Sequence, residues 1–319
     1  MTGTDPLDPA ALFEAAVGGE RGALARLLTV VERGGPVARA VGRLTYACAG
    51  SAYTLGITGA PGAGKSTLTS SLVAHVRRLG DRLAVLAIDP SSPYTGGAIL
   101  GDRVRMAEHA LDDGVYIRSM ATRGHLGGLA LAAPEAIRVL DAAGFAWVIV
   151  ETVGVGQVEV EVAGAADTTV VVVNPGWGDA VQANKAGLME VADVFVVNKA
   201  DRAGADATVR DLESMMDLTH TEGWRPPVVR TVATTGEGSP DLWAAVDGHR
   251  RHLEATGRLA ERRHARVRAE LDLIVAQRLR VRAEALLGDT ERDAIQAAVT
   301  AGRLDPWSAA DRLLAPLDP

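Results

Sequence analysis

Residues 52–67, "AYTLGITGAPGAGKST", decide how this chain folds. The run up to Thr58 is apolar and β-branched, as a buried strand requires, while "STLTSSLVAHVRRLG" (66–80) has the apolar spacing of a helix. Between them Gly59, Gly64, Lys65 and Ser66 fit G-x-x-x-x-G-K-[ST], the P-loop pattern, in the strand-loop-helix context that the pattern needs. Glycines let backbone N–H groups close round a phosphate without Cβ clashes, and the helix start adds partial positive charge. Gly59, Gly62, Ala63, Gly64, Lys65, Ser66 and Thr67 are therefore predicted to hold a nucleotide's phosphates. Lys65 would act as a mobile catalytic cation on the β- and γ-phosphates, and the Ser66 hydroxyl as a ligand for Mg2+.

Downstream, "RLAVLAID", "VYIRS", "AWVIVET", "TTVVVVN", "VFVVNK" and "PVVRTV" are short, nearly continuous apolar runs separated by helical stretches. That alternation predicts an α/β fold, a mostly parallel sheet covered by helices on both faces, with ligands at the C-terminal strand ends. Before it, "AALFEAAVGGERGALARLLTVVERG" (10–34) reads as two short helices broken at Gly18–Gly19. After about Asp247 strand patterns stop, and a long arginine-rich helical stretch follows in which Leu271, Val275 and Leu279 share one face. Its arginines suit either a solvated helix face or an anion-binding surface. "DPWSAADRLLAPLDP" reads as a last helix started by Asp305 and Pro306. The expected division is a helical extension at 1–50, a P-loop domain at 51–247 and a second helical extension at 248–319.

With 319 residues and 47% hydrophobic content the chain can bury a substantial core, and 4% aromatics suits tight helix-on-sheet layers. A net charge of -7 and a pI near 5.6 give no overall positive field, so neither nucleic acid nor anionic membrane is expected as a partner. The single cysteine, Cys48, excludes an internal disulfide and a cysteine-based metal cluster, which fits a reducing compartment. The acidic N-terminus lacks a signal peptide's basic start and apolar core, and no apolar run approaches the ~18 residues that span a bilayer. A cytoplasmic protein is expected.

The base is read from "VFVVNKAD" (194–201). Asn198, Lys199 and Asp201 follow a buried strand as N-K-x-D. A carboxylate, which only accepts hydrogen bonds, matches the N1–H and exocyclic amine of guanine, a donor pair that adenine lacks. GTP and GDP are therefore expected, with the Lys199 stem over the base plane and Asn198 bracing neighbouring loops. In "RTVATTGEG" the pair Val232–Ala233 stands where a guanine-contacting loop carries Ser-Ala, which leaves the N–H of Ala233 for the base.

"VIVETVGVGQ" ends a strand with Glu151, followed by Gly154. The carboxylate can approach Mg2+ through water, and the glycine N–H can bond the γ-phosphate. Asp89 and Asp102 in "AIDPSSPYTGGAILGDRVRM" flank glycines and suit a segment that orders round Mg2+ and the γ-phosphate, although Asp102 also reads as a solvated helix-start acid. "NPGWGDAVQANKAG" carries Trp177, Asp179, Gln182 and Lys185, the last by type a helix-surface lysine. His125 in "TRGHLGGLA" reads as a structural turn histidine or a general base.

Together these motifs resemble the MeaB/ArgK-type GTPases of the G3E group, which accompany adenosylcobalamin-dependent acyl-CoA mutases such as methylmalonyl-CoA mutase. The resemblance spans almost the whole chain and rests on "GITGAPGAGKST", "AIDPSSPYTGGAILGDRVRM", "SMATRGHLGGLA", "ETVGVGQVEVEVAGAADTTVVVVNPGWGDAVQANKAGLMEVADVFVVNKAD" and "DPWSAADRLL". It implies a GTP-hydrolysing chaperone, slow alone and stimulated by the mutase, that gates cobalamin loading and removal of damaged cofactor. It also implies a homodimer formed through the C-terminal helices. Asp89, Asp102 and Glu151 match the family's metal and switch acids, and Lys185, on a third switch loop answering to the mutase, matches a lysine that supports stimulated catalysis. Val232 departs from the family's guanine loop. Two other function classes stay open on the residues alone. A nickel-delivering GTPase of the same group would need a His- or Cys-rich cluster, against which one cysteine and seven dispersed histidines argue. A small-molecule (amino-acid) kinase would need an acceptor pocket.

Overall fold

The computed structural model describes residues 8–89, 106–109, 111–121, 128–152, 164–176, 190–218, 223–286 and 289–315. Three helices open it, α1 (Pro9–Val17), α2 (Arg21–Arg33) and α3 (Gly35–Tyr46), one more than the hydrophobic pattern predicts. The reason is local. Gly34 and Gly35 hold φ at 71° and 90°, which turns the chain, and Pro36 pre-sets the first turn of α3.

Seven strands form one sheet: β1 (Tyr53–Gly59), β2 (Leu83–Asp89), β3 (Val115–Ala121), β4 (Trp147–Thr152), β5 (Thr168–Val173), β6 (Val194–Asn198) and β7 (Val228–Thr231). Their order is β3-β2-β4-β1-β5-β6-β7 and every pairing is parallel. Among the described residues the connections carry α4 (Lys65–Arg78), a 3-10 turn (Ala107–His109), α5 (Gly128–Ala142) and α6 (Ala205–Leu218), and α7 (Ser239–Ala255) follows β7. Strands buried on both faces need apolar side chains in both directions, which is why they read as continuous runs. On one face Leu86 and Val150 pack with α1, α2 and α5, and Val171 and Phe195 with α6. On the other, Ile57, Val85, Ile149 and Val172 meet α4 and α7.

The remaining helices are α8 (Arg258–Leu286), α9 (Asp289–Thr300) and α10 (Pro306–Leu314). The arginine-rich stretch is thus not one helix: it breaks before α8 at Gly257, where φ is 74°. The chain divides into two compact units, Met1–Arg266 and Val267–Pro319.

Within the first unit, the opening turns of α8 are tied to the N-terminal pole of the sheet. Arg262 grips Asp193 through two nitrogens at 2.8 and 2.9 Å, Arg263 holds Asp167 at 2.7 Å, and Arg266 bonds Asp167 as well. Both carboxylates also accept backbone N–H groups, from Thr54 (3.0 Å) and Thr169 (2.9 Å). These arginines therefore form neither a solvated face nor a surface for foreign anions. Burial works against the Asp167 carboxylate, but the Arg263 hydrogen bonds and the Arg266 charge outweigh it and hold its pKa below the ordinary value.

His249 is fully buried beside this cluster, with Nδ1 2.8 Å from Thr168 Oγ1 and Nε2 3.3 Å from Asp193. Burial pushes its pKa down from 6.5 to about 4, against the pull of Asp193. A folded pKa below the unfolded one makes the unfolded chain the better proton acceptor. Stability from this group is therefore present above pH ~6.5 and lost as pH falls towards ~4, by up to about 3 kcal/mol. Urea unfolding across that window should show His249→Gln losing less stability on acidification than the parent chain. Parallel curves for the two proteins would contradict the assignment.

The second unit holds the rest of α8 with α9 and α10. Asp305 caps α10 as the sequence predicts, accepting the N–H groups of Trp307 and Ser308 at 3.0 Å. Leu271, Val275 and Leu279 lie along one side of α8, between 46% and 56% exposed. No helix among the described residues is long and apolar enough to cross a membrane.

Candidate nucleotide-binding site

The C-terminal ends of β1, β4 and β6 bring Lys65, Ser66, Glu151 and Asn198 of the predicted residues together. β1 ends at Gly59, the loop turns through Gly62 (φ 74°) and Gly64 (φ 94°), and α4 begins at Lys65. Each of these backbone conformations favours glycine. Gly64 is further constrained because a Cβ there would lie 2.4 Å from Asn198 Nδ2. The buried Lys65 ammonium reaches back over the loop and donates to Gly59 O at 2.6 Å and Ala60 O at 3.1 Å. Its charge is thereby held at the centre of the loop. Ala63 is buried beneath it, and Thr67 faces outward on the first turn of α4.

Ser66 Oγ donates to Glu151 Oε1 at 2.5 Å, both residues being buried. Glu151 reaches this point from the end of β4, next to Ile57 of β1 in the parallel register. A hydroxyl and a carboxylate converging at a helix start are hard oxygen donors, the chemistry that Mg2+ takes. The two residues fit that ion. Asp89 ends β2, two positions beyond Ala87, which pairs with Glu151. The Asp89 side chain and the residues Asp102, His125, Gly154, Trp177, Asp179, Gln182 and Lys185 lie outside what is described.

Asn198 is the tie between three loops. Its Nδ2 donates to Ala63 O at 2.8 Å, while its Oδ1 accepts from Thr231 Oγ1 and from Ala233 N, both at 3.1 Å. Lys199, with φ at 58°, sends its ammonium to Gly62 O at 2.7 Å, so its stem crosses the space beside the P-loop. Asp201 is exposed just beyond. Two details escape sequence reading. Thr231 supplies the hydroxyl that orients Asn198, a role that only its register opposite Asn198 reveals. The N–H of Ala233, expected at the base, is engaged by Asn198, and the next N–H, on exposed Thr234, has no hydrogen-bond partner among the described residues.

Residues 24–286 match the family described as "Methylmalonyl Co-A mutase-associated GTPase MeaB". The chain belongs to this family. A putative GTPase of Pyrococcus abyssi (strain GE5 / Orsay) is 52% identical over 307 residues, 95% of either chain. The mitochondrial methylmalonic aciduria type A homolog of Mus musculus is 35% identical over 268 residues, covering 82% of this chain and 65% of that one. Among solved structures, one described as an LAO/AO transport system kinase superposes with a TM-score of 0.72 at 28% identity over 98% of both chains. The match to the MeaB family begins in α2 and ends with α8, so it takes in the whole sheet and every described part of the site.

Proposed function

We propose that the protein is a GTP-hydrolysing chaperone of an adenosylcobalamin-dependent acyl-CoA mutase, methylmalonyl-CoA mutase or a relative. In this reading it gates cofactor loading and the removal of damaged cofactor in the cytoplasm. The observation that carries it is the Asn198 tie: one side chain locks the P-loop, the N-K-x-D loop and the loop after β7 into a single nucleotide cradle, in a chain of the mutase-associated family.

In that cradle Asp201 accepts the guanine N1–H and amine, Lys199 covers the base, and the N–H of Thr234, rather than that of Ala233, meets the guanine carbonyl. Lys65 and the loop N–H groups neutralise the phosphates as water displaces GDP from the γ-phosphorus and inorganic phosphate leaves. Bound Mg2+, held by Ser66 with Asp89, Asp102 and Glu151 close by, would supply charge stabilisation on the β- and γ-oxygens. Gly154 offers its N–H to the γ-phosphate. The G domain spans 51–247, and the apolar stripe of Leu271, Val275 and Leu279 pairs two copies through the 248–319 extension, which light scattering would register as a dimer.

Competition against labelled GDP tests the base reading. GTP should displace it and ATP should not, and Asp201→Asn should erode the preference by about tenfold or more, as loss of a charge-assisted bond does. Equal displacement by ATP would sink the guanine assignment. Phosphate release with and without candidate mutases tests the partner. The cognate mutase should accelerate it, and Lys185→Ala should retain binding and basal turnover but lose most of the acceleration, since one positioned cation is worth about 10³–10⁵ in such reactions. Full stimulation of Lys185→Ala would remove the switch role from that loop.

A further inference from the structure

A cleft of about 550 Å³ opens at the N-terminal pole of the sheet, at the opposite strand ends from the P-loop. It lies where the turns leading into β2, β3 and β4 meet the turn between α1 and α2, and its size is that of small-molecule sites, which run to roughly 300–1,000 Å³.

Three guanidiniums line it, each held in place. Arg77, in the last turn of α4, is bidentate with Asp112 at 2.8 and 3.0 Å and packs so closely on Gly114 that a Cβ there would come within 2.2 Å of it. Arg21 lies 5.6 Å from the Tyr116 ring centroid and donates to Val115 O at 2.9 Å. Arg82 stacks on Phe145 at 4.8 Å over the backbone of Gly144, and among the described residues its guanidinium forms no hydrogen bond and no ion pair. A guanidinium fixed on a ring with its N–H fork unengaged is pre-organised for a carboxylate or phosphate, which it can take bidentately. Leu24 and Ala143 add apolar wall. Two carboxylates share the rim. Asp113 stands fully in solvent 3.9 Å from Arg21, and Glu20, at the start of α2, neither caps that helix nor pairs with the three arginines.

We propose that this cleft binds a small organic anion, a carboxylate or phosphate ester with an apolar body, anchored by Arg82. The site is independent of the guanine-nucleotide reading. Its test is calorimetric titration of the full chain, saturated with GDP, with phenyl phosphate, with benzoate, and with benzyl alcohol as the uncharged control. One or both anions should bind saturably, and the stronger of the two identifies the anionic group. Arg82→Gln, a change at an exposed side chain, should weaken binding about tenfold. Glu20→Gln should strengthen it by removing a rim charge, and Lys65→Ala should leave it unchanged, whatever GDP does. The proposal is overturned by no saturable binding up to about 10 mM, by benzyl alcohol binding as well as the anions, or by indifference to Arg82→Gln. Loss of binding in Lys65→Ala would also overturn it, by placing the anion in the P-loop.

Discussion

Gly59→Ala should yield little or no folded protein. At Gly59 φ is 134°, and a Cβ would sit 2.0 Å from Val172 O and 2.9 Å from Val172 C and N. The obstacle is the backbone of the paired strand, since Gly59 and Val172 are register partners, so no side-chain rotation relieves it. β1 and β5 would have to part at the root of the P-loop. Backbone strain of about 1–3 kcal/mol and overpacking of about 1–3 kcal/mol or more would together remove much of a domain's typical ~5–15 kcal/mol. Gly62 is the control. It also has positive φ, 74°, but nothing lies within 4 Å of its Cβ position, so Gly62→Ala should cost only about 1 kcal/mol. Soluble yield and urea midpoints of the two variants decide the matter, and similar midpoints would show that the close approach to Val172 is not what requires glycine.

Asp167→Ala should lower stability by about 3–5 kcal/mol, the cost of leaving buried charge without its partner. Asp167 is fully buried, and its loss would leave Arg263 and Arg266, which keep bonds to the carbonyls of Gly50, Ala52 and Ala165, without their counter-charge and the N–H of Thr54 without its acceptor. Part of that loss comes from the abandoned arginines rather than from the pair's net value, so Arg263→Met in the same chain should recover some of it. Urea unfolding of the single and double variants measures this. A double variant no more stable than Asp167→Ala would mean that Arg263 contributes no charge penalty. The depressed carboxyl pKa adds a pH signature: its stabilisation is present above the unfolded value near 3.8 and disappears as pH falls through the lower folded value.

The strands were legible because a sheet buried on both faces demands runs such as "TTVVVV" that no amphipathic surface element would show. The P-loop was legible because its glycines, lysine and serine serve local backbone geometry that a nine-residue stretch fully specifies. α3 was less so: its twelve residues carry only a few core side chains, and the decisive signal was the glycine pair at its start, Gly34 and Gly35. The base-site loops fell between these cases. "NKAD" announced its chemistry, but the registration of Thr231 opposite Asn198, which commits the N–H of Ala233, depends on how β6 and β7 align.

By itself, then, the sequence determined the parallel α/β architecture, the phosphate loop, the guanine-type motif and the family, because each is encoded in contiguous residues whose spacing matches a helix, a strand or a turn. Tertiary structure alone decided that three arginines of the run, Arg262, Arg263 and Arg266, serve buried carboxylates, whereas Arg268, Arg278, Arg280 and Arg282 stay on the solvated face that the sequence suits. Asp167 and Asp193 look in sequence like ordinary polar residues before a strand, and their partners Arg263 and Arg262 lie 96 and 69 positions away. Only the folded chain buries those carboxylates, and a charge removed from water must find its counter-charge wherever the packing brings one.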